Sequence, residues 1–485
     1  MTLLDRVRNA MRGFLRIEPA KETGITILES LTFESNAAKN RIWYRGNASE
    51  LAQLYKQMDG VQDSFWAAVP TRGMEIRKIH VGIPALTVDV LASVVIADMY
   101  DVKVPKPLTN QWEQVLTQNR LKELCQKAVS EVLIVGDGAF RLSFDPAVSP
   151  EPMIEFIGGD SLEYTIKRGR ITEVIFRTLY ENGRFLLREI YGYGYVRYEL
   201  TQNGKPVPLD SLPETAALTD VRFDDRIMLA VPLMFSGSGQ FPGRGKSIFD
   251  GKTDSYDALD EAWSQWMHAL RQSRPTKFLP PNYIPKDPFT GADLLPNPFD
   301  NTFVRSEGGM PEGGSGQHPE LVQPNIPYES YLSTYITALD IALQGVISPS
   351  TLGIDTKKLE NAEAQREKEK TTLYTRNRIV TALQEVLPKA VAAALQLREL
   401  QGSGRFLEID LDEIEVAFGE YANPSFESQV ETVGKGRSQG IMSVEAAVDE
   451  LYGDTKDEDW KQVEVQRIKA QTGVETMQEP MFTEV

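Results

Sequence analysis

The feature that most constrains this chain runs from Tyr328 to about Leu400: a helix, a loop punctuated by Pro and Gly, and a much longer helix. Tyr328, Tyr331, Leu332, Tyr335, Ile336, Leu339 and Leu343 recur three and four residues apart, the spacing of one apolar helical face. The segment Gly345-Val346-Ile347-Ser348-Pro349-Ser350-Thr351-Leu352-Gly353-Ile354-Asp355 then interrupts the helix, because Pro349 has no N–H to continue it and two glycines favour turns. From Lys357 the chain becomes helical and charged through Lys370, then apolar on one face at Leu373, Ile379, Val380, Leu383, Val386, Leu387, Val391 and Leu395. Pro388 inside that run predicts a kink. A loop held between two helices in this way suits projection into a shared space.

At 485 residues the chain is long enough for more than one structural unit. Its 41% hydrophobic and 25% charged residues are ordinary for a soluble globular protein. No stretch approaches the ~20 uninterrupted apolar residues that span a bilayer, and the opening Met1–Arg8 reads as an amphipathic helix without a signal-peptide core. A cytosolic chain with no membrane association is the expectation. Cys125 is the only cysteine, which rules out an internal disulfide or a thiolate metal cluster; its place in an apolar helical run predicts a buried, inert thiol. Net charge is −17, and the last 80 residues carry 19 Asp and Glu against 6 Lys and Arg. Such a protein is poorly suited to gripping nucleic acid, since affinity comes mainly from neutralising phosphates, although it could surround a duplex without holding it. A solvated acidic tail accounts for the charge equally well.

Taken in order, residues 1–60 read as helical, with turns at Glu18-Pro19 and Arg45-Gly46-Asn47, and with Asn47 or Ser49 as helix cap. Ile79 to Met99 is apolar nearly all round, a buried helix entered through Pro84; His80 is expected to cap or pack, because no second ligand stands at metal spacing. One helix is expected from Asn110 to about Ser130. Glu131–Phe144 then reads as strand, turn, strand, and further strands follow at 153–157, 171–177, 185–191 and 195–200, with Asn182-Gly183 and Asn203-Gly204 as hairpin turns. Together they predict an antiparallel sheet beside the preceding helices. Ile227–Pro232 could add a strand.

Ser247 to Arg274 reads as one amphipathic helix carrying Leu259, Trp263, Trp266 and Met267, with His268 off the stripe and exposed. The two tryptophans could be core or a contact with a neighbouring subunit. Residues 275–327 are rich in Pro and Gly, with short strand-like pieces at 276–280, 302–305 and 320–324 and a flexible loop at 307–316. Beyond 400, Phe406–Leu411 and Ile414–Phe418 read as strands, and short helices follow at 425–439, 443–452 and 457–472, with Ser443 as a cap.

One motif suggests catalysis. Gly243-Arg244-Gly245-Lys246-Ser247 ends like a phosphate-binding loop, which would make the chain a nucleotide-binding enzyme. That loop needs a glycine five residues before its Gly-Lys pair; position 240 is Gln, and Pro242 removes an N–H from the cradle.

The order of these elements resembles that of tailed-bacteriophage portal proteins. Three passages carry the resemblance: Gly245–Asp250 with the Asp254–Arg274 helix and Arg274-Pro275-Thr276-Lys277-Phe278; Gln344–Gly353 followed by Asn361-Ala362-Glu363-Ala364; and Gly440–Val448 with the acidic Tyr452–Trp460 segment. The resemblance implies an α+β portal fold. Its parts would be a wing (1–246), a first stem helix (247–274), a clip (275–327), a second stem helix (328–345), a tunnel loop (346–360), a long kinked wing helix with return strands (361–424) and a helical crown (425–485). It implies no catalysis, no cofactor and no metal. It further implies a homo-oligomeric ring of about twelve copies at one capsid vertex, assembled in the host cytoplasm and carried in the virion. Double-stranded DNA would pass through it during packaging and ejection. The terminase large subunit, a head-tail adaptor, and the major capsid and scaffolding proteins would be its partners.

Under that resemblance, Ser348, Pro349, Ser350, Thr351, Asp355, Lys357 and Lys358 would lie at the channel, with both lysines touching phosphates or else pairing with Glu360 and Glu363. Trp263, Trp266, Tyr328, Tyr331 and Tyr335 would pack stem helices within and between subunits. The acidic C-terminal region would line the channel or project into the capsid. Two alternatives remain: another capsid-associated structural protein, although a shell protein has no need of a rod that runs out and back, and a cytosolic scaffold with no viral role.

Overall fold

The structure, a computed structural model, describes residues 31–58, 63–69, 76–279, 283–294, 303–305, 320–354, 362–419, 426–452 and 458–472. The chain divides into two compact units, Met1–Phe418 and Gly419–Val485.

The first unit begins with helices. Thr32 caps α1 (Phe33–Arg45) by accepting from the Ser35 N–H at 3.2 Å, and Gly46 ends it in the left-handed conformation. Asn47, one of the two expected caps, then accepts from the Ser49 N–H and starts α2 (Ala48–Gln57). Helix α3 (Ile83–Ala97) carries Pro84 in its first turn and buries Val88, Leu91, Ala92 and Val95 completely. Where a single helix is expected from 110 to 130 there are two, α4 (Thr109–Asn119) and α5 (Leu121–Val135), separated by Arg120 in the left-handed region at φ 46°.

The expected strand at Glu131–Val135 is instead the end of α5. That apolar run suits a buried helix as well as a strand, and the helix already in progress settles it. Gly136 ends the helix and opens β1 (Asp137–Ser143). It also lies against Gly245: a Cβ added to Gly245 would stand 2.1 Å from the Gly136 carbonyl oxygen, so the two backbones can cross only as glycines. Cys125 on α5 is buried as expected, and burial pushes its thiol up to about 12.

The strands form two antiparallel sheets where one is expected. The smaller has the order β2-β1-β9, from β2 (Met153–Gly158) and β9 (Ala230–Met234), with Phe140 opposite Phe156 on one side and Val231 on the other. The larger runs β3-β4-β5-β6-β7: Leu162–Lys167, Arg170–Tyr180, Phe185–Gly192, Tyr195–Gln202 and Lys205–Val207. The short β8 (Val221–Arg222) pairs with β6. Asn182-Gly183 and Asn203-Gly204 turn with positive φ, as expected.

Helix α6 (Thr253–Gln272) leaves this body, starting six residues later than expected because Ser247–Lys252 is taken up by turns. Helix α7 (Tyr328–Leu343) returns alongside it. The pairing of Lys252 with Ile341, Trp263 with Tyr335 and Trp266 with Tyr331 makes the two antiparallel. At the far end, β10 (Thr276–Leu279) lies between β11 (Phe303–Arg305), parallel to it, and β12 (Glu320–Val322), antiparallel to it. These are the three strand-like pieces the sequence predicts; the loop at 307–316 lies outside the described residues.

A short 3₁₀ turn at Pro349–Leu352 leads toward α8 (Ala362–Ser403), a 42-residue helix with Pro388 inside it. The expected strands at 406–418 are absent: the segment holds a 3₁₀ turn at Leu411–Glu413 and meets residues 99–103 through two isolated bridges, Lys103–Glu415 and Met99–Phe418. Ile414 and Val416 are buried and Glu415 is exposed, so the alternation is genuine, but it is satisfied against one irregular segment and not in a ladder.

The second unit holds α9 (Phe426–Ser438), α10 (Val444–Tyr452) and α11 (Glu458–Thr472). Ser443 caps α10 by accepting from the Ala446 N–H at 3.1 Å, and Tyr452 meets Trp460 edge to face at 5.1 Å. The fold class is α+β. Among the described residues no helix is long and apolar enough to cross a membrane.

Candidate functional site

The base of α6 is pinned to the body by carboxylates. Asp260, almost fully buried, accepts from His80 Nδ1 at 2.7 Å, the Val81 N–H at 2.9 Å and Trp66 Nε1 at 3.1 Å. One turn earlier, Asp257 accepts from the Phe65 N–H at 2.8 Å and the Trp66 N–H at 3.1 Å. Burial, opposed by those two N–H groups, raises the Asp257 carboxyl above the usual aspartate value, and the charges of Asp260 and Glu261 add to the rise. Ser264 Oγ accepts from the Ile79 N–H at 2.9 Å. Three side chains on one face of α6 thus grip residues 65–81. His80 packs as expected, edge-on to Trp43 at 5.5 Å, and its role as a partner of Asp260 is additional. The readable signal lay in α6 itself: Asp260 falls on the stripe of Tyr256 and Trp263, a carboxylate among apolar positions.

From Trp263 outward the rod is held by rings. Trp263 and Trp266 lie 5.7 Å apart edge to face, Trp263 meets Tyr335 at 5.2 Å, and Trp266 stacks on Tyr331 at 6.4 Å with planes 9° apart. All four are half-buried in the single chain. Tyr328, expected with them, stands apart and exposed, its hydroxyl donating to Glu329 at 3.2 Å. His268, expected to be exposed, is half-buried. The rod is acidic: outside the pinned Asp257 and Asp260 it carries Asp254, Glu261, Glu329 and Asp340 against Arg271 alone.

The segment after α7 is tied down at its start. Val346 and Ile347 are buried; the buried Ser348 donates its N–H to Thr372 Oγ1 at 2.9 Å, and Thr375 Oγ1 donates to the Val346 carbonyl at 2.7 Å. Thr351 Oγ1 meets Thr372 Oγ1 at 2.9 Å. Pro349, Ser350 and Thr351 are half-buried. Asp355, Lys357 and Lys358 lie outside the described residues. Threonines one turn apart on α8 therefore anchor the loop, and no local pattern announces them.

The Gly243–Ser247 segment does not form a phosphate cradle. Such a cradle needs free backbone N–H groups, and here they are used: Arg244 N–H donates to the Phe241 carbonyl, Gly245 N–H to Asp137 Oδ2 at 2.7 Å, and Lys246 N–H to the Ser236 carbonyl. The Arg244 guanidinium grips the fully buried Asp137 at 2.8 and 2.9 Å, and Ser247 Oγ donates to the Ile134 carbonyl at 2.6 Å. The anion held by the Arg244 guanidinium and the Gly245 N–H is Asp137 of β1. Among the described residues no cluster of three or more His, Cys, Asp or Glu could hold a metal ion.

Comparison with known proteins finds no matching family model and no matching curated protein. Among solved structures, similar chains occur in the virion of a native gene transfer agent particle: 14% identity over 89% of this chain and 93% of that one, TM-score 0.40. Others occur in the neck of an empty particle computed with C6 symmetry, at 13% identity, 78% and 93% coverage and TM-score 0.39, and in the neck of a native particle computed with C12 symmetry, at 16% identity, 80% and 91% coverage and TM-score 0.36.

Proposed function

We propose that this chain is the subunit of a phage-type portal: a non-enzymatic ring at one capsid vertex, found in the virion, through which double-stranded DNA is packaged and ejected. The observation that carries the reading is the rod. Two antiparallel helices leave an α/β body, end in a three-stranded tip, and return into a tethered loop followed by a 42-residue helix. In this reading the body is the wing, α6 and α7 are the stem, the tip is the clip, the segment from Val346 begins the tunnel loop, and residues beyond 425 form the crown.

Physical chemistry supports the assignment. The exposed charges of the rod are predominantly negative, and such a wall lets a duplex slide because it cannot hold phosphates by releasing counterions. The half-buried Trp263, Trp266, Tyr331 and Tyr335 leave aromatic surface for an adjacent copy, while exposed Tyr283, Phe289 and Leu321 at the tip suit the terminase large subunit and then a head-tail adaptor. Native mass with negative-stain images of the same sample tests this. The expected result is a ring of about a dozen chains with a central hole. A chain that stays monomeric even when co-produced with its capsid and scaffolding proteins overturns it.

A further inference from the structure

Within Gly243–Ser247, Arg244, Gly245 and Ser247 are committed to internal contacts, while the Lys246 side chain is exposed. Lys246 lines a cavity of about 160 Å³ where the start of α6, the end of α7 and α8 meet, together with Lys252, Arg378, Asp250, Gln344 and Gly345. A single water's share of liquid volume is ~30 Å³, so the space admits a tetrahedral oxyanion with part of its hydration.

Three cations border this space in a protein of net charge −17. Among the described residues neither Lys246 nor Arg378 has a carboxylate partner, and Lys252 Nζ donates to a neutral acceptor, the Ile341 carbonyl, at 3.0 Å. The acid at the rim is engaged elsewhere. Asp250 Oδ1 accepts from Asn36 Nδ2 at 2.9 Å and Asn40 Nδ2 at 3.4 Å, its Oδ2 accepts from the Ser247 N–H at 2.9 Å, and its charge also acts on Lys39. Burial and the neighbouring Lys246 hold the Lys252 ammonium below the usual lysine value, as expected of like charges without a counter-ion. A bound dianion would reverse that repulsion. Two ammonium groups and a guanidinium fork match the oxygens of phosphate better than a single carboxylate, which one of them would satisfy.

We propose that this cavity binds a phosphate group through Lys246, Lys252 and Arg378. The group is either free phosphate or a phosphate of a nucleic-acid backbone, which present the same oxygens. The inference does not depend on ring formation, so a protein that fails to form rings leaves it standing.

The test uses the full chain, with inorganic phosphate titrated calorimetrically and a fluorescently labelled 20-base-pair duplex followed by anisotropy at low salt. Lys246 and Arg378 are exposed, so the K246Q/R378Q protein should fold, which thermal melting checks; K246R keeps the charge as a control. Phosphate affinity should fall at least about tenfold in K246Q/R378Q and be largely kept in K246R. If duplex affinity falls with it and phosphate competes with the duplex, the ligand is a backbone phosphate; if duplex binding is unchanged, it is free phosphate. Equal phosphate affinity in wild type and K246Q/R378Q, or none in either, overturns the proposal.

Discussion

The two halves of α6 are held in opposite ways. Its base is held by one buried, bonded face: Tyr256 and Leu259 are 1% exposed, and Asp257, Asp260 and Ser264 accept from a tryptophan, a histidine and four backbone N–H groups between residues 65 and 81. Its outer half meets α7 through half-buried rings, and Leu270, Tyr328 and Leu332 remain exposed. Burying a carboxylate costs free energy unless its acceptors are filled, so two of them at one joint serve direction more than net stability. Half-covered aromatics do the reverse: they tolerate movement and keep apolar surface available. The base belongs to the folding of the single chain. The outer half is where a second copy would add most.

Removing a pin should have the largest effect. Asp260→Ala leaves His80 Nδ1, Trp66 Nε1 and the Val81 N–H without their acceptor in a buried joint. The expected loss is about 3–5 kcal/mol of unfolding free energy, measured by denaturant titration. A loss below about 1 kcal/mol would mean that water reaches the joint and that base and outer half are held alike.

The outer half should respond differently. Trp263→Ala with Trp266→Ala removes the ring contacts to Tyr331 and Tyr335, yet all four rings are already half-exposed. The single chain should lose only about 1–3 kcal/mol, while ring formation, followed by native mass, should fail at concentrations where the wild type assembles. Intact assembly would assign these rings to the single chain alone. A loss as large as that of Asp260→Ala would erase the difference between the halves.

The contrast also explains what could be read from the sequence. The rod and α8 announce themselves through helical periodicity, and the tip strands through short β-prone runs between Pro and Gly, signals carried within each element's own sequence. Asn182-Gly183 and Asn203-Gly204 mark their hairpins for the same reason. Strand β3 escaped because its turn is Arg168-Gly169, which lacks the Asn or Asp signature although Arg168 adopts φ 51°. The end of α5 escaped because Val132–Val135 is equally apolar for a helix or a strand. The partners of the pins were illegible for a deeper reason: a carboxylate on an apolar stripe marks Asp260, but His80 is 180 residues away and no local pattern couples them. The same holds for Thr372 beneath Ser348 and Asp137 within the Arg244 loop. Elements were legible, and the polar contacts that join them were not.

The smallest effect is a pH dependence at Asp257. Burial raises the Asp257 carboxyl above its usual value, so the folded protein holds this proton to higher pH than the unfolded chain does. Over that window the folded state binds more protons, and the contribution of Asp257 to stability falls as pH rises. The contribution is fully present below the usual carboxylate value and is lost as pH rises through the raised one. Asp257→Asn removes the titration while keeping a side-chain carbonyl for one of the two N–H donors at Phe65 and Trp66. Denaturant titrations of both proteins across the acidic range should show the wild type losing ground to Asp257→Asn as pH rises, with a constant difference above that window. A wild type that gains on the variant with rising pH would show instead that the two N–H bonds outweigh burial, and that the base of α6 is held by charge and not in spite of it.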